Sequence, residues 1–244
     1  MIAVSIISHG HGEMVLRLVT QLLECPEISK IIVTLNIKEE LLFPESLKIR
    51  IIENNYPKGF GENHNFVFRE ITQPYFCPLN PDVRLLSNPF PQLITSINKH
   101  NADLVAPLVV NNNGGIEDSI RNFPTLFSVL KKIFSKSQGC CNIKKSSDVF
   151  SPEWVAGMFM FFRSSAYKKL KGFDEIFFLY YEDVDICIRL WRQGMKLIAD
   201  PSVCVVHDAR RASRNNIAYM KLHLKSMGIY FLRYFLRLPS INKL

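Results

Sequence analysis

Ile2-Ala3-Val4-Ser5-Ile6-Ile7-Ser8 opens the chain as an apolar, β-branched run and gives way at once to His9-Gly10. Such a run reads as a buried first strand, and it lacks the basic leader and small-residue cleavage site of a signal peptide. Met14, Leu18 and Leu22 follow at helical spacing, Pro26 ends that helix, and Ile31-Ile32-Val33 makes a second strand. Ile49-Arg50-Ile51-Ile52 is a third. Strand, helix and strand joined by short connections predict an α/β domain with a mainly parallel sheet. Ligands of such sheets bind beyond the carboxyl ends of the strands. The loops after Ile7, Val33, Ile52 and Leu79 are therefore the places to look for function.

Further along, Gly59 and Gly61 precede a helical pattern through Asn65 to Glu70, and Tyr75 to Leu79 is a fourth strand. Leu93 to Lys99 reads as helix and Asp103 to Pro107 as strand. Asn111 to Gly115 is a loop by composition, and the basic, polar stretch Ser128 to Lys145 reads as a mobile segment or an acceptor cover. Trp154 to Phe162 is expected as one strand. Ser164 to Leu170 is expected as a helix capped by Ser164 or Ser165 and closed by Gly172. A helix from Asp183 to Gln193, closed by Gly194, and a last strand from Leu197 to Val206 complete the pattern. There is no internal repeat and no clean linker. One compact domain over residues 1–216 is expected, followed by a basic amphipathic helical appendage over 217–244.

The 244 residues are 48% hydrophobic and 21% charged, which excludes wholesale disorder, collagen-like and coiled-coil architectures. No run approaches the ~20 apolar residues of a membrane-spanning helix. Six cysteines without a CxxC pair point to free thiols in a reducing cytosol. The net charge of +8 is concentrated: residues 207–244 carry eight Lys or Arg against the single acid Asp208. A nearly neutral body with a basic tail suggests a polyanionic partner such as a membrane surface, a diphosphate or nucleic acid.

Three clusters carry chemistry. Asn80-Pro81-Asp82 follows the fourth strand, where a carboxylate can hold a hard divalent cation, although the same residues also make an ordinary type I turn. Tyr180-Tyr181-Glu182-Asp183-Val184-Asp185 heads a helix. Acids there suit the helix dipole and Asp185 can pair with Arg189, but a carboxylate so placed can also act as a general base. Val205-Val206-His207 ends a strand on an imidazole, a common metal ligand.

Taken in order with Val4 to Gly10, Gly59-Phe60-Gly61-Glu62-Asn63-His64-Asn65, Trp154 to Met160, Gly172-Phe173-Asp174-Glu175 and Ala199-Asp200-Pro201, these clusters make the chain resemble the family 2 glycosyltransferases. Within them it is most similar to the rhamnosyltransferases of bacterial O-antigen and polysaccharide assembly. The likeness runs over roughly residues 2 to 235 and implies a GT-A (Rossmann-like) fold. It implies that Asp82 and His207 hold Mg²⁺ or Mn²⁺, with Asn80 beside them where many relatives have Asp. It implies that Asp183 is the general base, with Glu182 next to it. Ser8, Asn36, Gly59 and Asn65 would face the nucleotide, and Leu35 stands where many relatives place an Asp that reads the base. Trp154 and Gly157 would line the donor–acceptor junction, and Arg210, Arg211 or Arg214 would meet a phosphate.

The expected activity is metal-dependent, inverting transfer of L-rhamnose from dTDP-rhamnose to a hydroxyl of a growing, polyprenyl-diphosphate-linked surface polysaccharide. A different nucleotide sugar, such as UDP-galactofuranose, and a catalytically inactive assembly scaffold are the alternatives. A cytoplasmic location, peripheral on the inner face of the membrane, an anionic membrane surface as partner and a homodimer are further expectations. The chain lacks a nucleic-acid-binding motif, so nucleic acid is not expected as a partner.

Overall fold

The computed structural model describes residues 1–134, 148–207 and 217–241. Ten strands and seven helices alternate along these residues. They are β1 (Ile2–Ser8), α1 (Glu13–Leu23), β2 (Ile28–Leu35), β3 (Ile49–Glu53), α2 (Phe60–Phe68), β4 (Tyr75–Leu79), β5 (Val83–Leu85), α3 (Phe90–Lys99) and β6 (Leu104–Val110). They continue with β7 (Ile120–Arg121), α4 (Leu126–Phe134), β8 (Trp154–Val155), β9 (Phe161–Arg163), α5 (Ser164–Lys169), α6 (Glu182–Arg192), β10 (Leu197–His207) and α7 (Ile217–Tyr234).

Eight strands form one sheet in the order β3-β2-β1-β4-β9-β6-β10-β5. The β3-β2-β1-β4 block and the β6–β10 pair are parallel, whereas β9 and β5 run antiparallel to their neighbours. This is the mixed, mainly parallel GT-A sheet expected from the sequence. All seven residues of β1 are buried, as suits a central strand covered on both faces. Its side chains alternate: Ile2, Val4 and Ile6 meet Val15, Leu18, Val19 and Leu22 of α1 and Phe90, Leu93 and Ile97 of α3, while Ala3 belongs to the opposite core with Val67, Phe76, Tyr167 and Ile186. Helices α1 and α3 thus cover one face, and α2, α5, α6 and α7 the other.

Several expectations need correcting. Trp154 to Phe162 is not one strand. Trp154-Val155 pairs with β7 in a separate two-stranded sheet, and only Phe161–Arg163 enters the main one. The backbone leaves its ladders around Gly157: Ala156 N–H donates to Ser119 O and Gly157 N–H to Asp183. Phe159 stays opposite Leu79 in the register of the Phe76–Phe162 pair, with Asn80 N–H donating to Met158 O and Met160 N–H to Pro78 O, but Pro78 has no N–H to complete the ladder between those two pairs. Neither serine caps α5; Ser164 instead donates to Gln73 O at 2.6 Å, and the cap position is Arg163. Part of the Ser128–Lys145 stretch is helical in α4, and residues 135–147, with Cys140 and Cys141, lie outside the described residues. Cys25, Cys77, Cys187 and Cys204 are free thiols.

The basic C-terminal segment is closely packed on the body. Tyr230 and Tyr234 of α7 are buried in the same core as α6. Among the described residues, no helix is long and apolar enough to cross a membrane.

Candidate active site

Two loops and a strand end build the first corner of the site. Val83 N–H donates to Asn80 O at 3.2 Å, closing a tight turn after β4. Strand β5 then pairs antiparallel with β10, Val83 opposite His207. That register sets Asp82 against His207, with Oδ2 3.2 Å from Nε2 and both side chains almost wholly buried. The other carboxylate oxygen, Oδ1, is buried with no hydrogen-bond partner among the described residues. A buried, unsatisfied carboxylate oxygen is costly and calls for a ligand. An oxygen of that kind beside an imidazole suits a divalent cation. No cluster of three His, Cys, Asp or Glu side chains suited to a metal occurs among the described residues; Asp82 and His207 are a pair.

The second corner sits at the start of α6. Tyr180 and Tyr181 both have φ of 68°, a left-handed backbone that costs a bulky residue about 1–3 kcal/mol. Helix α7 holds this strained turn. Its His223 ring lies 5.1 Å from that of Tyr180 and 5.4 Å from that of Tyr181, and the Tyr230 ring lies 5.1 Å from Tyr181. Ser226 donates to Leu179 O at 2.8 Å. One turn into α6, the fully buried Asp185 accepts from Arg189 Nε at 2.6 Å, Arg233 Nη1 at 3.2 Å and the Tyr234 hydroxyl. Arg233 also binds Asp174 at 2.6 Å. The expected Asp185–Arg189 pair is present, but α7 completes it.

This scaffold presents Glu182 and Asp183. Burial pushes both carboxyls upward, Glu182 well above its ordinary value, and the Asp183 charge adds to the rise at Glu182. Asp183 is better supported: Gly157 N–H donates to its Oδ2 at 3.0 Å, Val184 N–H to its Oδ1 at 2.8 Å, and the Arg121 charge also favours its ionised form. Glu182 Oε2 is buried without a hydrogen-bond partner among the described residues. Of the two, Glu182 is pushed up further, because Asp183 has the backbone N–H donors of Gly157 and Val184 and a nearby guanidinium that favour its ionised form.

The third corner lies after β1 and β2. Asn36 Oδ1 accepts from Lys58 N at 2.8 Å, Asn54 Nδ2 at 2.9 Å and Asn63 Nδ2 at 3.2 Å, and its own amide donates to Lys58 O at 2.9 Å. Ser8 donates to Glu39 Oε1 at 2.5 Å, and the amides of Gly10 and Gly12 donate to the same carboxylate at 2.9 and 3.0 Å. Both glycines have positive φ, which lets the loop wrap the carboxylate. Burial opposes ionisation of Glu39, but these three donors prevail and hold its carboxyl below the ordinary value.

The corners converge on one short segment. Gly157 gives its amide to Asp183, and the next residue, Met158, gives its carbonyl to Asn80. Adjacent Cα atoms are about 3.8 Å apart, so base and cation corners flank a single peptide unit. Ser8 and Asn80 continue neighbouring strands that pair at Ile6–Leu79.

Other expected site residues do different work. Asn65 uses all four of its hydrogen bonds within the protein: Nδ2 to Phe173 O and Glu175 Oε1, Oδ1 from Phe173 N and the Tyr167 hydroxyl. It braces the Gly172–Glu175 turn rather than facing a nucleotide; Asn63, one turn after Gly59, is the residue directed to Asn36. A Cβ on Gly59 would lie 2.9 Å from Phe178 O, so that glycine serves close packing of α2 on the segment before α6. Trp154 is buried, its indole N–H donating to Asn122 O at 2.9 Å, and the Arg121 guanidinium covers its ring at 5.3 Å. Arg210, Arg211 and Arg214 lie outside the described residues. Sequence reading passed over Glu39, Asn54, Asn63 and Arg121; of these only Asn63 carried a signal, its i, i+4 spacing from Gly59 on the inner face of α2.

Residues 90–229 match the family described as glycosyl transferase family group 2. Rhamnosyltransferase WbbL of Escherichia coli K12 is 29% identical over 255 residues, an alignment covering 96% of this chain and 93% of that protein. The N-acetylglucosaminyl-diphospho-decaprenol L-rhamnosyltransferase of Mycobacterium tuberculosis H37Rv is 27% identical over 62% of this chain, which spans about half (52%) of that longer protein. Among solved structures, GalNAc-T7 with UDP, GalNAc and Mn²⁺ superposes with a TM-score of 0.64 at 15% identity, over 85% of this chain and 43% of that one. The mannosyltransferase PcManGT of Pyrobaculum calidifontis, with GDP-Man and Mn²⁺, gives 0.63 at 12% identity, over 95% and 64%. These two likenesses establish the GT-A fold. The family match spans more than half of the residues and takes in β10 and the helix that carries Asp183: the chain belongs to glycosyl transferase family group 2.

Proposed function

We propose that this glycosyltransferase moves L-rhamnose from dTDP-rhamnose, with inversion, onto a hydroxyl of a polyprenyl-diphosphate-linked glycan at the cytoplasmic face of a membrane. The observation that carries the reading is that Asp183 bonds to Gly157 while the next residue, Met158, bonds to Asn80, two positions before the Asp82 that meets His207. Rhamnose is favoured by the two rhamnosyltransferase relatives, and the decaprenol in the name of the mycobacterial one favours a lipid-linked acceptor.

Asp82 and His207 would hold Mg²⁺ or Mn²⁺, and Asp82 Oδ1 is an oxygen in need of such a partner. A divalent ion there supplies Lewis-acid stabilisation to a departing diphosphate. Ser8, Asn36 and Asn63 shape the nucleotide side, with Glu39 fixing the loop that Ser8 begins. Asp183 takes the proton of the acceptor hydroxyl, a contribution of roughly 10²–10⁴-fold. Its raised affinity for a proton makes it a stronger base than an exposed carboxylate, and Gly157 and Val184 keep its oxygens aimed. One base with no second nucleophile fits single displacement and inversion rather than a covalent intermediate.

The test is transfer to a synthetic polyprenyl-diphosphate-linked sugar from dTDP-rhamnose, UDP-galactofuranose and UDP-glucose, with Mg²⁺, Mn²⁺ or chelator, read by mass spectrometry. Rhamnosylated product that disappears with chelator supports the proposal. Product only from a UDP-sugar overturns the donor assignment, and failure of every donor to yield product or free sugar points to an inactive scaffold.

A further inference from the structure

Helix α7 has two faces, and the inner one is fully employed. Ser226, Tyr230 and Tyr234 are buried against the body, and they bind Leu179, Pro124 and Asp185. On the outer face the large apolar side chains are exposed. Ile217, Met220, Leu224 and Leu232 recur at helical spacing on it, and Phe235 and Leu236 follow its end; all six are more than half exposed, Leu232 and Leu236 at 89%. A helix on a body surrounded by water turns a polar face outward, whereas the outer face of α7 mixes these apolar side chains with lysines.

The charges along it are all of one sign. Lys221, Lys225 and Arg237 are exposed, and no Asp or Glu occurs after Asp208. Tyr230 also ties α7 to the start of α4 through Pro124 O at 2.8 Å, where Leu126, Phe127 and Lys131 are exposed as well. Apolar side chains interleaved with lysines on a helix about 27 Å long suit the boundary between headgroups and acyl chains of an anionic bilayer. A second copy fits less well. A two-fold contact would set this patch against itself and bring Lys221 and Lys225 towards their own equivalents.

We infer that the outward face of α7 is a docking surface for an anionic lipid bilayer. Because the inner face of the same helix holds Tyr180, Tyr181 and Asp185, docking sets the base corner at a fixed height above the membrane. Acceptors anchored by a lipid diphosphate would then be met at that surface. Docking is read from binding, so it stands or falls separately from the proposed reaction.

The experiment is co-sedimentation of the full chain with vesicles of phosphatidylcholine alone and with about one third phosphatidylglycerol, at about 0.1 M and about 1 M salt. The native chain should pellet with phosphatidylglycerol vesicles at low salt, much less at high salt, and stay in solution with phosphatidylcholine alone. Leu224→Glu/Leu232→Glu and Lys221→Glu/Lys225→Glu should each weaken binding by about tenfold or more with unchanged circular dichroism. Leu224→Ser/Leu232→Ser carries the same test if the glutamates unfold the helix. Absence of binding by the native chain, or equal binding by native and substituted chains, overturns the inference. A concentration-dependent dimer that the leucine substitutions abolish, without vesicle binding, assigns the face to a second copy instead.

Discussion

Replacing Tyr234 with Phe removes a single oxygen, yet that oxygen binds the Asp185 carboxylate on α6, the helix that carries Asp183. Asp185 is fully buried and accepts from Tyr234, Arg233 and Arg189. Tyr234→Phe leaves both guanidiniums, so no uncompensated charge is created, and the ring keeps its packing against Tyr230 at 5.5 Å. The loss is one hydrogen bond to a charged acceptor, about 1.5–3 kcal/mol. At about 2–4 °C per kcal/mol for a chain of this size, the midpoint of melting should fall by about 3–12 °C. The effect on turnover should exceed the effect on donor binding. The bond fixes α7 to α6, and α7 in turn holds the left-handed Tyr180–Tyr181 turn that aims Asp183. Neither Asp82 nor Asn36 depends on α7. We therefore expect kcat to drop about tenfold, with KM for the nucleotide sugar within twofold. Steady-state kinetics at fixed acceptor, run beside thermal melts well below the new midpoint, separate the two. Unchanged kcat in a destabilised variant would show that α7 supports the fold without positioning the base, and a selective rise in donor KM would refute the division of the site into corners.

Asp183→Asn should lower turnover by about 10²–10⁴-fold while dTDP binding, followed by calorimetry, persists. Glu182→Gln bears on pH dependence. Burial raises the Glu182 carboxyl in the folded state, so its contribution to stability is full below the unfolded value and is lost as pH rises through the folded one. The variant should melt at a temperature less sensitive to pH above about 4.5 than the native chain; parallel pH profiles of melting would contradict that. Asn63→Ala should raise donor KM through collapse of the Asn36 network, whereas Asn65→Ala should chiefly lower the melting point by unpinning the Phe173 turn. Equal kinetic effects of the two would return Asn65 to the nucleotide site.

The central sheet was legible because burial on both faces leaves an unmistakable record: Ile2–Ser8 and Ile28–Leu35 are nearly continuous apolar runs. Helices α1 and α6 were equally plain, one from its apolar spacing and the other from its acids and Gly194. Short strands such as β5 and β7 left no periodic signal, since two or three residues cannot show one. The Trp154–Phe162 error has the same root. Its composition is that of a strand, but the backbone bonds of Ala156 and Gly157 go to Ser119 and Asp183, which are distant in sequence, and Pro78 opposite it has no N–H to give. Of the candidate site, Asp82, His207 and Asp183 stood out in the sequence because metal binding and general-base chemistry call for those residue types. Glu39 and Arg121 were missed because nothing in their neighbours distinguishes them from surface charges. The role of α7 was half visible: its basic, aromatic character showed in the sequence, while the engagement of Tyr234 with Asp185 could only come from the fold.

The proposed function rests on a separation of duties, in which Asp82 and His207 would grip the donor and Asp183 would activate the acceptor. Calorimetric titration of dTDP in the presence of Mn²⁺ tests this most directly in the native, Asp82→Asn and Asp183→Asn chains. Metal-dependent binding should survive in Asp183→Asn and vanish in Asp82→Asn. Retention of metal-dependent binding by Asp82→Asn, or its loss in Asp183→Asn alone, would contradict the account.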